Sequence, residues 1–492
     1  MKHEPGHLTG PGIRSIARNA FYLMGSQWVN IAIRLCYVVF LARWLGPKLY
    51  GLFNYAMSWY MVMLPLAGLG LGVILGREIP QNPDRQSDIL SGTFSLRIVS
   101  SVFCALLCAL SGLLLEKNPD ARMLLLVFSS ALLGRSVAFW TANVFTAYEA
   151  SHYTFIFHSI FRFAELLLSL TYIFFDGGVL GLSVIHSLSW WSQGIFGIFW
   201  IKRTFSPMHF RMRKKELKSY FRRGLILGIF SVSSTFILQG PLVLYRYISG
   251  LGENLGQLAL AMQALILLST LPGYMTAGAL PVLSRSVLRG DGKARVFTES
   301  MIRVTIIAGT ALALSGLAIF PWLIERLFGP SYGDTGFLLG WTLWLLIPLT
   351  TATVITSIFQ ARGEYAIPTL FSLIGAAILL LAIYPMTSLA GQAGVIAAMG
   401  IALFIESAGL VMAAQRSGQL NVRTSCFKPI ITALAASLTF FTWRDSLFVS
   451  LPAGLAVLSA GTVLLRIYSP GDVVALRHIL KSFLPSSKTE KP

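Results

Sequence analysis

Inside apolar runs long enough to cross a lipid bilayer, the sequence places polar side chains at the spacing of a single helix face. Gln27, Asn30, Arg34 and Tyr37 follow at intervals of 3, 4 and 3 residues, and His158, Arg162, Glu165, Ser169 and Tyr172 repeat the pattern at 4, 3, 4 and 3. Arg135, with Asn143 and Thr146 further along, makes a sparser third face. A guanidinium at membrane depth costs several kcal/mol unless it meets protein or a wet cavity, so these faces must turn toward one another or toward water. Arg162 can pair with Glu165 one turn on. The only other acid inside an apolar run is Glu406, which leaves Arg34 and Arg135 without an evident carboxylate. A surplus of cations in a membrane cavity calls for an anionic ligand, and the guanidinium fork suits phosphate in particular. The candidate ligand-binding residues are therefore Gln27, Asn30, Arg34, Arg135 and Arg162. Glu165 and Glu406 are the candidates for carrying a coupling proton or sodium ion, with structural pairing as the competing role of Glu165. Arg303 and Arg466 sit near the ends of their runs and are expected to reach the interface; Arg97 can be read either way.

The motifs of catalysis are missing. There is no GxxxxGK[ST] sequence for a nucleotide, so energy has to come from an ion gradient or from the substrate's own gradient. "GLGLGVILG" at 68–76 does not fit GxGxxG and, inside an apolar run, is expected to permit close helix packing or bending. The seven histidines do not cluster at metal-ligand spacing, and the short outer loops leave little room for a glycosyltransferase site. A transporter without catalytic residues, metal or cofactor is expected. Cys36, Cys104, Cys108 and Cys426 all lie in or beside apolar segments and are expected to be packing residues and not bridges.

The elements that must position these side chains are long helices. The chain of 492 residues is 55% hydrophobic and 12% charged. Its apolar runs lie at about 19–42, 51–75, 89–115, 123–147, 154–175, 178–201, 224–245, 255–281, 300–324, 336–360, 366–385, 392–414, 429–443 and 447–468. Runs of this length without alternation are helices, because lipid leaves every backbone polar group to be satisfied within its own segment. The first run is too long, and followed by too many others, to be a removed signal. Lysine and arginine concentrate on one set of loops, which predicts a multi-pass membrane protein with both termini in the cytoplasm. The net charge of +19 does not imply nucleic acid: the largest basic stretch, 202–223, falls on the predicted inner face, where anionic lipid headgroups are its expected neighbours.

That basic stretch divides the first twelve runs into two sixes. Arg43, "GLFNYAM" at 51–57, "LP" at 64–65 and Arg77 recur in order as Arg246, "GQLALAM" at 256–262, "LP" at 271–272 and Arg285. The expected organisation is a six-helix lobe over 1–222 with its basic linker at 202–222, a second six-helix lobe over 223–415, and a helix pair with a cytoplasmic tail over 416–492. "LGPKLYG" at 45–51 and "FGPSYG" at 328–333 echo each other out of register with that repeat and are read as Gly-Pro turns at the outer side. The tail from 469 begins as a short amphipathic helix along the inner surface.

The fourteen runs, "LARWLGPKLYGLFNYAMS", "GLGVILGREI", "ERLFGPSYGDTG" and "SPGDVVALRHIL" together resemble the bacterial polysaccharide flippases, the Wzx-like family of the multidrug/oligosaccharidyl-lipid/polysaccharide exporter superfamily. The resemblance covers essentially the whole chain. It implies an all-α membrane protein of about fourteen helices, two pseudo-symmetric six-helix lobes plus a C-terminal pair. It also implies transfer of an undecaprenyl-pyrophosphate-linked oligosaccharide from the cytoplasmic to the periplasmic leaflet by alternating access, with polysaccharide polymerase machinery as a candidate partner. The family motifs at Arg43, Leu45, Gly46, Tyr50 and Gly51 carry the recognition without a catalytic role. Two alternatives compete: a multidrug or organic-cation antiporter of the same superfamily, which would want an acid where this sequence has Arg34, and a membrane-embedded glycosyl transferase or polymerase.

Overall fold

The computed structural model describes residues 13–210, 213–289, 292–444 and 446–468. Among them the chain is helical, with no strand. In order the helices are α1 (Ile13–Gly68), α2 (Leu71–Gln81), α3 (Gln86–Leu115), α4 (Pro119–Ala147), α5 (Ser151–Phe174), α6 (Val179–Thr204), α7 (Lys214–Ser249), α8 (Glu253–Arg289), α9 (Lys293–Phe328), α10 (Gly333–Thr342), α11 (Leu346–Ala361), α12 (Ala366–Arg416), α13 (Lys428–Thr442) and α14 (Leu447–Leu464). Ten helical stretches of the described residues are long and apolar enough to cross a membrane, so this is a multi-pass membrane protein. The expected amphipathic tail lies outside the described residues.

Two of those stretches fold back on themselves. α1 breaks at Gly46 (φ 67°, ψ 170°) and α12 at Ala390–Gly391, where Gly391 has φ 55°. The Gly-Pro echo takes the same backbone form at its second site, Gly329 (φ 96°, ψ 170°). Gly250, between α7 and α8, repeats it without a following proline (φ 84°, ψ −171°). Only glycine occupies this region at little cost, which explains why the elbows carry it.

The second apolar run is not the continuous helix expected. It stops at Gly68 and resumes as α2 after Leu69 (φ 44°) and Gly70 (φ 60°). The reason is close approach: a Cβ on Gly224 of α7 would lie 2.0 Å from the Leu69 carbonyl oxygen, and one on Gly70 would lie 2.6 Å from Leu227 Cβ. The glycine-rich stretch thus both bends and packs. The tenth run is likewise interrupted, by a 3-10 turn at Leu343–Leu345 between α10 and α11.

The helices α1–α6 and α7–α12 meet closely at the elbow end. Gly51 and Gly256, counterparts in the sequence repeat, face each other there: a Cβ on Gly51 would sit 2.6 Å from the Gly256 nitrogen, and one on Gly256 would sit 1.8 Å from the Pro47 oxygen. Tyr50 packs edge-on against Tyr332, whose hydroxyl donates to the Ala42 carbonyl at 3.0 Å. Arg246 Nη2 reaches Glu116 Oε1 at 2.8 Å, and Tyr55 Oη lies 3.0 Å from both Glu116 Oε2 and Tyr247 Oη. A continuous core of buried side chains from both halves surrounds these contacts. The two halves are closed on each other at this end.

Candidate functional site

Behind the closure, toward the opposite end, a cavity of about 360 Å³ lies mainly in the first half of the chain. The first arm of α1 brings Asn30, Arg34 and Tyr37 to it, α4 brings Arg135, and α5 brings His158, Arg162 and Glu165. The two polar stripes therefore face one chamber. α6 adds His186 and Trp190, the second arm of α1 adds Tyr50 and Asn54, and α8 of the other half contributes Gln263. The side chain of Gln27, the remaining candidate, lies outside the described residues.

Three guanidinium groups and one carboxylate line this chamber. Glu165 accepts from Arg162 Nη1 and, at 2.7 Å, from His186 Nδ1. His186 then offers Nε2 as an acceptor to Tyr60 Oη at 2.9 Å and to the Trp190 indole N–H at 3.2 Å. Tyr60 Oη in turn accepts from Arg135 Nη1 at 2.6 Å. One chain of hydrogen bonds thus runs from Arg162 to Arg135, and it fixes both cations in place with a single negative charge. Arg162 also donates to Ser189 Oγ at 2.9 Å, and its guanidinium carbon stands 3.8 Å from the Trp190 ring centroid; that of Arg135 stands 4.5 Å from the same ring. The Nε–H groups of both arginines are buried without an acceptor. Arg34 Nη2 donates across the interface to Gln263 Oε1, and Gln263 Nε2 donates to Asn54 Oδ1 at 2.8 Å.

Glu406 lies elsewhere. It lines an adjoining cavity of about 530 Å³ between α7, α8, α11 and α12, and Met61, Ile266 and Thr270 border both chambers. Among the described residues it has neither an ion pair nor a hydrogen-bond partner, and much of the rest of its chamber is uncharged: Ser234, Thr235, Gln239, Thr356 and Gln360. Arg97 proves to be a packing residue, buried with its Nε–H donating to the Ser136 carbonyl at 2.9 Å, so it ties α3 to α4. Arg303 departs from its expected reach to the interface: it is 7% exposed and stands 4.0 Å from Glu299, one turn away. Arg466 is exposed, and all four cysteines are free, with Cys36 exposed and the others buried.

The residues that sequence reasoning passed over are His186, Trp190 and Gln193 of α6, Tyr60 of α1 and Gln263 of α8. The first three stand at intervals of 4 and 3, the same signal that marked α5. Gln263 directly follows the "GQLALAM" repeat and is a polar residue deep in an apolar run.

Residues 16–287, more than half of the chain, match the family described as polysaccharide biosynthesis protein. The chain belongs to that family. The Wzx-like resemblance drawn from its motifs is thereby borne out. A curated relative from Escherichia coli (strain K12), described as "Putative O-antigen transporter", is 22% identical over 395 residues, 77% of this chain and 92% of that one. Among solved structures, lipid II flippase MurJ in an inward closed conformation superposes with a TM-score of 0.65 at 14% identity, covering 91% of this chain and 98% of that one. A superfamily transporter from Pyrococcus furiosus superposes at 0.60, with 14% identity over 85% of this chain and 98% of that one. At such identities these likenesses establish the fold alone, which this chain shares with both transporters.

Proposed function

We propose that the protein flips a lipid-linked oligosaccharide, carried on undecaprenyl pyrophosphate, from the cytoplasmic to the periplasmic leaflet of the bacterial inner membrane. The observation that carries this reading is the convergence of Arg34, Arg135 and Arg162 on one chamber, whose lining among the described residues includes one carboxylate, Glu165. A pyrophosphate brings negative charge to this cationic lining, and the guanidinium groups offer it forked, charge-assisted hydrogen bonds. The names of the relatives, an O-antigen transporter and a lipid II flippase, agree with such a substrate. The same charge disfavours an organic cation. Two halves closed at the elbow end with chambers behind the closure support alternating access as the mechanism. Of the two carboxylates considered for proton or sodium coupling, Glu406 is the better candidate, because Glu165 is committed to Arg162 and His186. Anionic lipids against residues 202–223 and polymerase machinery complete the proposed partners.

The test replaces Arg34 in purified protein reconstituted with a lipid-linked pyrophosphate. Arg34→Ala should fold and insert yet lose flipping, Arg34→Lys should restore part of it by charge without the fork, and Arg34→Glu should be worst. Full transport by a well-folded Arg34→Ala protein overturns the reading.

A further inference from the structure

Among the described residues three hydrogen bonds cross between the halves at chamber depth, and the two residues that make them, Ser58 and Gln263, are counterparts. Gln263 of α8 and Ser58 of α1 occupy the same place in the repeat, each directly after its "AM" pair. Each reaches the other half: Ser58 Oγ donates to Gln239 Oε1 of α7 at 3.0 Å, and Gln263 Oε1 accepts from Arg34 Nη2. The first joins two neutral groups. The second places an amide oxygen on a guanidinium that also lines the cationic chamber. Gln263 is 5% exposed, and its amide N–H is used as well, on Asn54 of the second arm of α1. One amide therefore ties α8 to both arms of α1, about 12–18 Å inside the elbow end by helix rise.

We propose that Gln263 is a substrate-released latch: its amide oxygen holds the place of a phosphate oxygen on Arg34, and a diphosphate entering the chamber displaces it and frees α8 from α1. The latch rests on the pyrophosphate reading above. An anionic oxygen on Arg34 outcompetes a neutral amide oxygen because charge-assisted hydrogen bonds are roughly twice as strong as neutral ones. Once Arg34 is taken, Gln263 keeps its bond to Asn54 and loses the crossing contact for which the anion competes. The Ser58–Gln239 bond carries no charge and stays indifferent to the anion.

The experiment uses the full chain in lipid nanodiscs with inorganic pyrophosphate as the probe. Spin labels at Lys117→Cys and Glu253→Cys, both exposed positions on opposite halves at the elbow end, report separation on a Cys36→Ser background. Pyrophosphate should lengthen the label distance in the parent protein. Gln263→Leu should lengthen it without ligand and bind pyrophosphate roughly tenfold more tightly, since the Gln263 amide oxygen no longer competes for Arg34. Gln263→Glu should bind it at least tenfold more weakly and stay closed, because a carboxylate holds Arg34 by charge. Pyrophosphate that binds with equal affinity to parent and both variants, or that binds the parent without changing the distance, overturns the latch alone. A parent protein that binds no pyrophosphate overturns the substrate reading, and the latch with it.

Discussion

Closing the elbow end leaves no room for a single methyl group at Gly256. A Cβ there would stand 1.8 Å from the Pro47 oxygen and 2.4 Å from its carbonyl carbon, both backbone atoms of an elbow fixed by Gly46. Overpacking costs about 1–3 kcal/mol where side chains can shift; backbone cannot change rotamer, so Gly256→Ala belongs at the upper end, about 2–3 kcal/mol. In a protein that alternates between states, that cost falls only on the state closed at this end and shifts the equilibrium roughly 30- to 150-fold toward opening. The readout is maleimide labelling of Ala259→Cys on the Cys36→Ser background. Ala259 is fully buried and sits between Gly256 and Gln263 on one face of α8. Its labelling rate should rise by about the same factor, since reaction requires opening. Gly252→Ala is the control, because a Cβ there meets nothing within 4 Å. A folded Gly256→Ala protein that labels within about threefold of its parent refutes the reasoning.

Glu165→Gln removes the partner of both Arg162 and His186 and should cost about 3–5 kcal/mol, seen as a lowered melting temperature, because breaking a buried pair strands a charge. Glu406→Gln breaks no pair and should melt as the parent does while abolishing the ion dependence of flipping; retained ion dependence removes Glu406 from the coupling role. For orientation, cysteines at Arg203 and Lys117, both exposed, should label from the cytoplasm and from the periplasm respectively, and periplasmic labelling at 203 would reverse the topology.

The sequence determined the class and the local geometry of this protein by itself. Apolar runs in lipid have to be helices, glycines before proline at 46 and 329 mark the elbows, and the 3- and 4-residue spacing of Asn30, Arg34 and Tyr37 and of His158, Arg162 and Glu165 sets each polar face on its own helix. All of these follow from interactions within a few turns of chain. What periodicity leaves open is which neighbour a face meets, because rotation about a helix axis is decided by packing against distant segments. Only the tertiary structure decided that Arg34 meets Gln263, 229 residues away, and that Tyr60 and His186, 126 residues apart, complete the bridge from Arg162 to Arg135. The same contacts assigned Arg97 to packing, set Arg303 beside Glu299 and put Glu406 in a chamber apart from Glu165. The second apolar run also breaks after Gly68, where α7 comes so near that a Cβ on Gly224 would stand 2.0 Å from the Leu69 carbonyl oxygen.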